Sequence, residues 1–138
     1  MSGKLFPIAV PPNAWWIHEL VRPLLERAVI LDRGKSTVDD VLDKIRKEED
    51  VLWVVCNVHH DILACVVTSL DVYPTKKKVC TVRWAAGKHV HQWKDLMHFL
   101  IEYAENEQCQ SIEIHGRPGW GRLFPQFIEL YRVFEKEL

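Results

Sequence analysis

Residues 82–114 read VRWAAGKHVHQWKDLMHFLIEYAENEQCQSIEI, and their reading decides the fold. The first residues continue a β-branched and aromatic run that begins at Lys78. The centre then repeats apolar side chains at a helical period, through Trp93, Leu96, Met97, Leu100, Ile101 and Ala104. A short buried strand, QSIEI, follows. Strand, long helix and strand in that order predict a right-handed crossover from Cys80 to Ile114 that makes the two strands parallel.

Upstream, VLWVVCNV, ILACVVTSLDVY and KVCTVRWAAG are separated by HHD and PTKK, which predicts a meander of three antiparallel strands. STVDDVLDKIRKEED predicts a helix before them. Ser36 or Thr37 caps it, Asp39 and Asp40 favour its positive end, and Val38, Val41, Leu42 and Ile45 form one apolar face. An earlier helix is expected from Ala14 to about Ala28, capped by Asn13, with Trp16, Leu20, Leu24 and Ala28 recurring every four residues. Pro23 predicts a kink or break in it. Pro7, Pro11 and Pro12 predict an extended, irregular start.

Downstream, RLFPQFIELYRVFEKEL admits two readings by periodicity: a helical stripe through Leu123, Phe127, Leu130, Tyr131, Phe134 and Leu138, or a short helix and a final strand. Together the elements predict an α/β (mixed α+β) fold, a mostly antiparallel central sheet with helices on both faces, in a single domain over residues 1–138.

Charge narrows the partners. Eighteen basic against nineteen acidic residues leave a net charge of −1, so no overall field attracts nucleic acid or an anionic membrane. Lys76, Lys77 and Lys78 form a run beside Pro74, better read as a solvated hairpin end than as a phosphate contact. This ranks nucleic acid last among the partners. The apolar stretch Val51 to Leu70 is interrupted by Asn57, His59, His60 and Asp61, which a bilayer would penalise, so it reads as two strands and not as a membrane span. Met1 to Val10 holds too short an apolar stretch for a signal peptide. Cys56, Cys65, Cys80 and Cys109 lack paired-ligand spacing and read as reduced thiols in a cytoplasmic setting. His59, His60 and Asp61 read as a turn and not as metal ligands.

The element order resembles the GNAT acyltransferase superfamily, with most of the chain, from about Trp15 to Leu138, taking part. The stretch 82–120, ending in GRPGW, and the tail LYRVFEKEL are most similar to small GNAT-like proteins of tailed bacteriophages. The resemblance implies a closing strand for the tail, a gap between splayed fourth and fifth strands, and acetyl-CoA in that gap. It also implies a pyrophosphate held where the long helix begins, the general anion site of a helix N-terminus.

On these grounds Trp84, Ala85, Ala86, Gly87, Lys88, His89 and Arg117 are the cofactor-binding candidates. The phosphate-loop stretch is AAGKHVHQWKDL: Gly87 is present, while Val90 and His91 stand where the family carries a second glycine. The catalytic candidates are Glu113 and His115, two apart on one strand, as base. Tyr131 is a distant acid, because Phe124 stands near the position where the family carries a Tyr. Trp84, Trp93 and Trp120 are read first as core and second as walls of a pocket. Arg117 is left open to a phosphate or carboxylate, and Trp120 is expected to anchor the last helix.

Two functions follow from the resemblance. One is an N-acetyltransferase moving acetyl from acetyl-CoA to an amine. The other is a catalytically inactive GNAT-fold phage protein that binds phage or host proteins, as a virion component or a host-factor module.

Overall fold

The computed structural model describes residues 5–88, 93–116 and 119–138. Five strands form one sheet in the order β1-β2-β3-β4-β5, with β1 Phe6–Ala9, β2 Asp50–Cys56, β3 Ile62–Val72, β4 Lys78–Gly87 and β5 Ser111–Ile114. β1 through β4 pair antiparallel, and β4 pairs β5 parallel. The meander, and the parallel pairing of the strands on either side of the long helix, are therefore as the sequence predicts.

The helices α1 Trp15–Val29 and α2 Val38–Arg46 cover one face of the sheet, and α3 Trp93–Asn106 with the short α4 Gly119–Leu123 covers the other. Leu52, Val54, Cys65 and Val67 point toward α1 and α2, whereas Trp53, Val55, Val66 and Val82 point toward α3. This alternation along each strand gives the two-sided core. On the α3 side, Trp53 lies edge-on to Phe99 and Tyr103 at centroid distances of 5.4 and 5.0 Å, and its indole N–H donates to the Thr68 hydroxyl at 2.9 Å.

α2 begins as expected. The Thr37 hydroxyl accepts from Asp40 N–H, the Asp40 carboxylate accepts from Thr37 N–H, and Val41, Leu42 and Ile45 are buried. That reciprocal pair satisfies two otherwise unpaired backbone donors.

Five expectations need correction. The start of the chain is not irregular: Phe6–Ala9 pairs with Trp53 to Cys56, and Pro7 is tolerated because an edge strand needs its N–H groups on one side only. The break allowed at Pro23 does not occur, since α1 continues through it, and its cap Ala14 makes no side-chain cap bond, so Asn13 does not serve. Its buried face is His18, Val21, Leu25, Ala28 and Val29, while Trp16 and Leu20 are exposed. A step of four residues overshoots a full helical turn by about 40°, so the row Trp16, Leu20, Leu24 and Ala28 drifts around the helix, and only its later members, Leu24 and Ala28, reach the core. Finally, residues 128–138 form neither helix nor strand. They lie exposed, held at their end by Arg33, whose guanidinium donates to Glu135 at 2.6 Å and Glu137 at 2.7 Å.

Candidate functional site

Two irregularities in pairing shape the centre of the sheet. Val67 lies opposite Trp84 and Thr68 opposite Val82, so Arg83 is an extra, bulged residue on β4. A bulge bends its strand and increases the local twist. Pairing between β4 and β5 stops at the same place: its last register pair is Val82 and Ile114, closed by His115 N–H to the Val82 carbonyl at 3.0 Å. From Arg83 to Gly87, β4 is held by β3 alone among the described residues. Its other edge has no strand partner there, so β4 and β5 part beyond Val82.

The gap so made is not empty. Trp120 and Phe124 of the α4 segment stack at 5.9 Å with their planes 6° apart, and Phe124 also meets Phe127 at 6.1 Å. Beside them, a space of only about 10 Å³ remains among Val82, Ala85, Met97 and Ile114, room for about one water. The Trp120 indole lies over Gly116, where a Cβ would collide with it. Trp120 thus anchors the last helix and walls the gap at once.

The cofactor-binding candidates divide. Trp84 turns its ring into the α1–α2 core, and Ala85 into the α3 core. Ala86 and Gly87 pair with Cys65 and Ala64, and Lys88 N–H donates to the Leu63 carbonyl at 3.0 Å. Gly87 has φ +150°, and a Cβ there would lie 2.5 Å from both the Ala64 Cα and the Leu63 oxygen. Close approach to β3 therefore explains this glycine. His89 and Arg117 fall outside the described residues, as do Val90, His91 and Pro118.

Of the catalytic candidates, His115 is exposed at the mouth of the gap, directly after β5. Glu113 is register-paired with Thr81, and its carboxylate accepts from the Tyr73 hydroxyl at 3.2 Å. That bond to a carboxylate raises the Tyr73 phenol, and Tyr131 in the tail adds to the effect.

A polar strip crosses this face of the sheet, and sequence reading missed it. Asp50, Ser69, Thr81 and Glu113 are successive register neighbours on β2, β3, β4 and β5. Asp71 accepts from the Thr81 hydroxyl at 2.8 Å and the Ser69 hydroxyl at 3.0 Å; Arg83 donates to the Ser69 oxygen at 2.7 Å and to Asp71 at 3.3 Å. Burial pushes the Asp71 carboxyl up, but these hydrogen bonds and the Arg83 charge outweigh it and leave it below its ordinary value. Burial raises the Asp50 carboxyl, with Arg83 opposing. The alternation of TSLDVY hints at two facing polar residues; the bulge that brings Arg83 to them leaves no sequence signal.

No family profile matches the chain, and neither does any curated protein sequence. Solved structures do. An aminoglycoside acetyltransferase from an uncultured soil metagenomic sample, in complex with sisomicin, superposes with TM-score 0.69 at 10% identity over 97% of this chain and 96% of that one. A ribosomal-protein-alanine N-acetyltransferase from Brucella melitensis biovar Abortus 2308 gives 0.68 at 16% identity over 98% and 99%. A transcriptional regulator from Bacillus halodurans C-125 gives 0.68 at 17% identity over 98% and 100%. With its five-stranded, mostly antiparallel sheet parted between β4 and β5, this chain has the fold of the GNAT acetyltransferases.

Proposed function

We propose that the chain is a GNAT-type N-acetyltransferase that takes acetyl-CoA against the unpaired edge of β4 and passes the acetyl group to an amine. The observation that carries this reading is the arrested pairing at Val82 and Ile114, which leaves the backbone of Arg83 to Gly87 without a second strand partner among the described residues, on the side where a ligand's amides could pair. An extended arm bearing amides adds to such an edge as a strand does. The neighbours at comparable TM-scores include enzymes that modify amines, which supports the reaction class without fixing the acceptor.

Acetyl-CoA supplies the activated thioester. The chain's part is to orient and to move protons. His115 at the mouth, or Glu113 behind it, takes the proton that the amine loses as its nitrogen bonds to the carbonyl carbon. The C–S bond breaks, and the departing thiolate takes a proton from Tyr131 or from water. Trp120 and Phe124 must give way for the arm to enter, because the space they leave is far smaller than a ligand.

Calorimetric titration with acetyl-CoA tests binding, and thiol release with a panel of amines tests transfer. Saturable heat, with release that falls in His115→Ala or Glu113→Gln, is the expected result. No heat at millimolar acetyl-CoA sinks the proposal. A second reading is favoured by the packed Trp120–Phe124 stack: the same fold without catalysis, serving as a protein-binding module, in a phage particle or against a host protein. Retention of that stack in the presence of acetyl-CoA, together with co-assembly with a protein partner, would favour it.

A further inference from the structure

The polar strip leaves one carboxylate unanswered. Asp50 has the same parity on β2 as Leu52 and Val54, and Ser69 the same on β3 as Cys65 and Val67, so both point to the α1–α2 face of the sheet. Thr81 alternates with Val82, and Glu113 with Ile112 and Ile114, all of which face α3, so these two join the same row. Along it the Asp71 carboxylate is held by the Thr81 and Ser69 hydroxyls and by Arg83, and Glu113 by the Tyr73 hydroxyl. Asp50 is only 6% exposed, yet among the described residues its carboxylate takes part in no hydrogen bond or ion pair. A buried polar group of that kind calls for a partner. Asp50, Asp71 and Glu113 against Arg83 leave the strip with an excess of negative charge, and Lys44 and Glu49, which also act on Asp50, offset each other. The middle of the strip is open to solvent, the Asp71 and Arg83 side chains being 31% and 32% exposed. Its Thr81–Glu113 pair stands one step before Val82–Ile114, where β4 and β5 part.

We propose that the acceptor is a di- or polyamine: one amine reacts at the head of the gap beside Glu113 and His115, and a second ammonium lies on the strip, taken by Asp50 with Asp71 at its side. This rests on the acetyl-transfer reading and names its substrate class. Charge selects a cation, since Arg83 is already held by Asp71 and Ser69 while Asp50 is held by nothing among the described residues. Register sets the length. Asp50 lies two strands from β4, and neighbouring strands are about 4.8 Å apart, so the two nitrogens stand roughly 10 Å from each other. Extended spermidine spans that distance; ethylenediamine does not. Asp50 chooses the substrate and touches no reacting atom.

Calorimetric titration of the full chain with spermidine, ethylenediamine and butylamine, with and without acetyl-CoA, tests this. Spermidine is expected to bind at least about tenfold more tightly than either of the others, and to shift the wild-type amide signals of Asp50, Ser69 and Thr81. Asp50→Asn keeps the side-chain shape and removes the charge. It is expected to abolish the preference and to raise KM for spermidine about tenfold with kcat little changed, while the heat of acetyl-CoA binding stays as in the wild type. A loss of packing alone would not separate spermidine from butylamine. Butylamine or ethylenediamine binding as tightly as spermidine, or a preference that survives Asp50→Asn, overturns the proposal. It falls alone if acetyl-CoA binds and thiol is released as readily with butylamine as with spermidine. Absence of acetyl-CoA heat beside selective spermidine binding instead removes the transferase and leaves the cation site standing.

Discussion

Gly87→Ala measures how tightly β4 is held against β3 at the edge of the gap. The added methyl meets the Ala64 Cβ, and it falls 2.5 Å from the Ala64 Cα and the Leu63 oxygen, all parts of β3 that cannot rotate aside. The backbone must also keep φ +150°, which L residues rarely adopt. The conformational strain costs about 1–3 kcal/mol and the overpacking about 1–3 kcal/mol. A total near 4 kcal/mol lowers the urea midpoint by about 2 M at an m value of about 2 kcal/mol/M. Gly34→Ala is the control. Gly34 has φ +87° but nothing within 4 Å of an added Cβ, so only the cost of about 1 kcal/mol for the left-handed backbone applies there. A midpoint shift for Gly87→Ala no larger than that of Gly34→Ala would refute the close approach.

Three further outcomes follow from buried groups. His18 is fully buried with neither ring nitrogen hydrogen-bonded, and burial, then the Arg46 charge, holds its pKa below the ordinary 6.5. The native state therefore resists the proton that the unfolded chain takes, so stability falls as pH drops below 6.5. His18→Leu removes that slope and leaves stability at neutral pH equal or higher, as chemical denaturation across pH will show. Asp71→Asn leaves Arg83 without its carboxylate and costs about 1–2 kcal/mol at neutral pH. Because the Asp71 pKa is depressed, its stabilisation is present above the ordinary carboxyl range and disappears as pH falls through the folded value. The variant's loss accordingly vanishes in acid. The Cys65 and Cys80 thiols are pushed up to about 12 by burial, so a thiol reagent should leave both unmodified in the native protein and modify them in urea.

The parts of this fold that were legible in the sequence are those where one period runs uninterrupted between strong punctuation. The three meander strands lie between turns built on Asn57 and Pro74, and α3 repeats its apolar residues over four turns. Legibility failed where a residue's surroundings override its type. Pro7 suppresses a strand reading unless the strand is known to be an edge, and His18 belongs to the buried face of α1 although a polar residue is not counted there. The tail has the side chains of a strand but acquires no strand partner among the described residues. At the candidate site, Glu113 and His115 could be named from one strand. Tyr73, Asp71, Ser69 and Arg83 join Glu113 on the strip only through the register of three strands and the bulge at Arg83, which no local pattern announces.

The central claim is that the open edge of β4 is a binding edge. An amide NMR titration with acetyl-CoA addresses it directly, residue by residue. The account predicts saturable shifts concentrated at Arg83 to Gly87 and Ile114 to Gly116, accompanied by a change in the Trp120 indole signal as the stack with Phe124 opens. Unmoved amides along that edge at millimolar acetyl-CoA, or shifts confined to another face of the sheet, would contradict it.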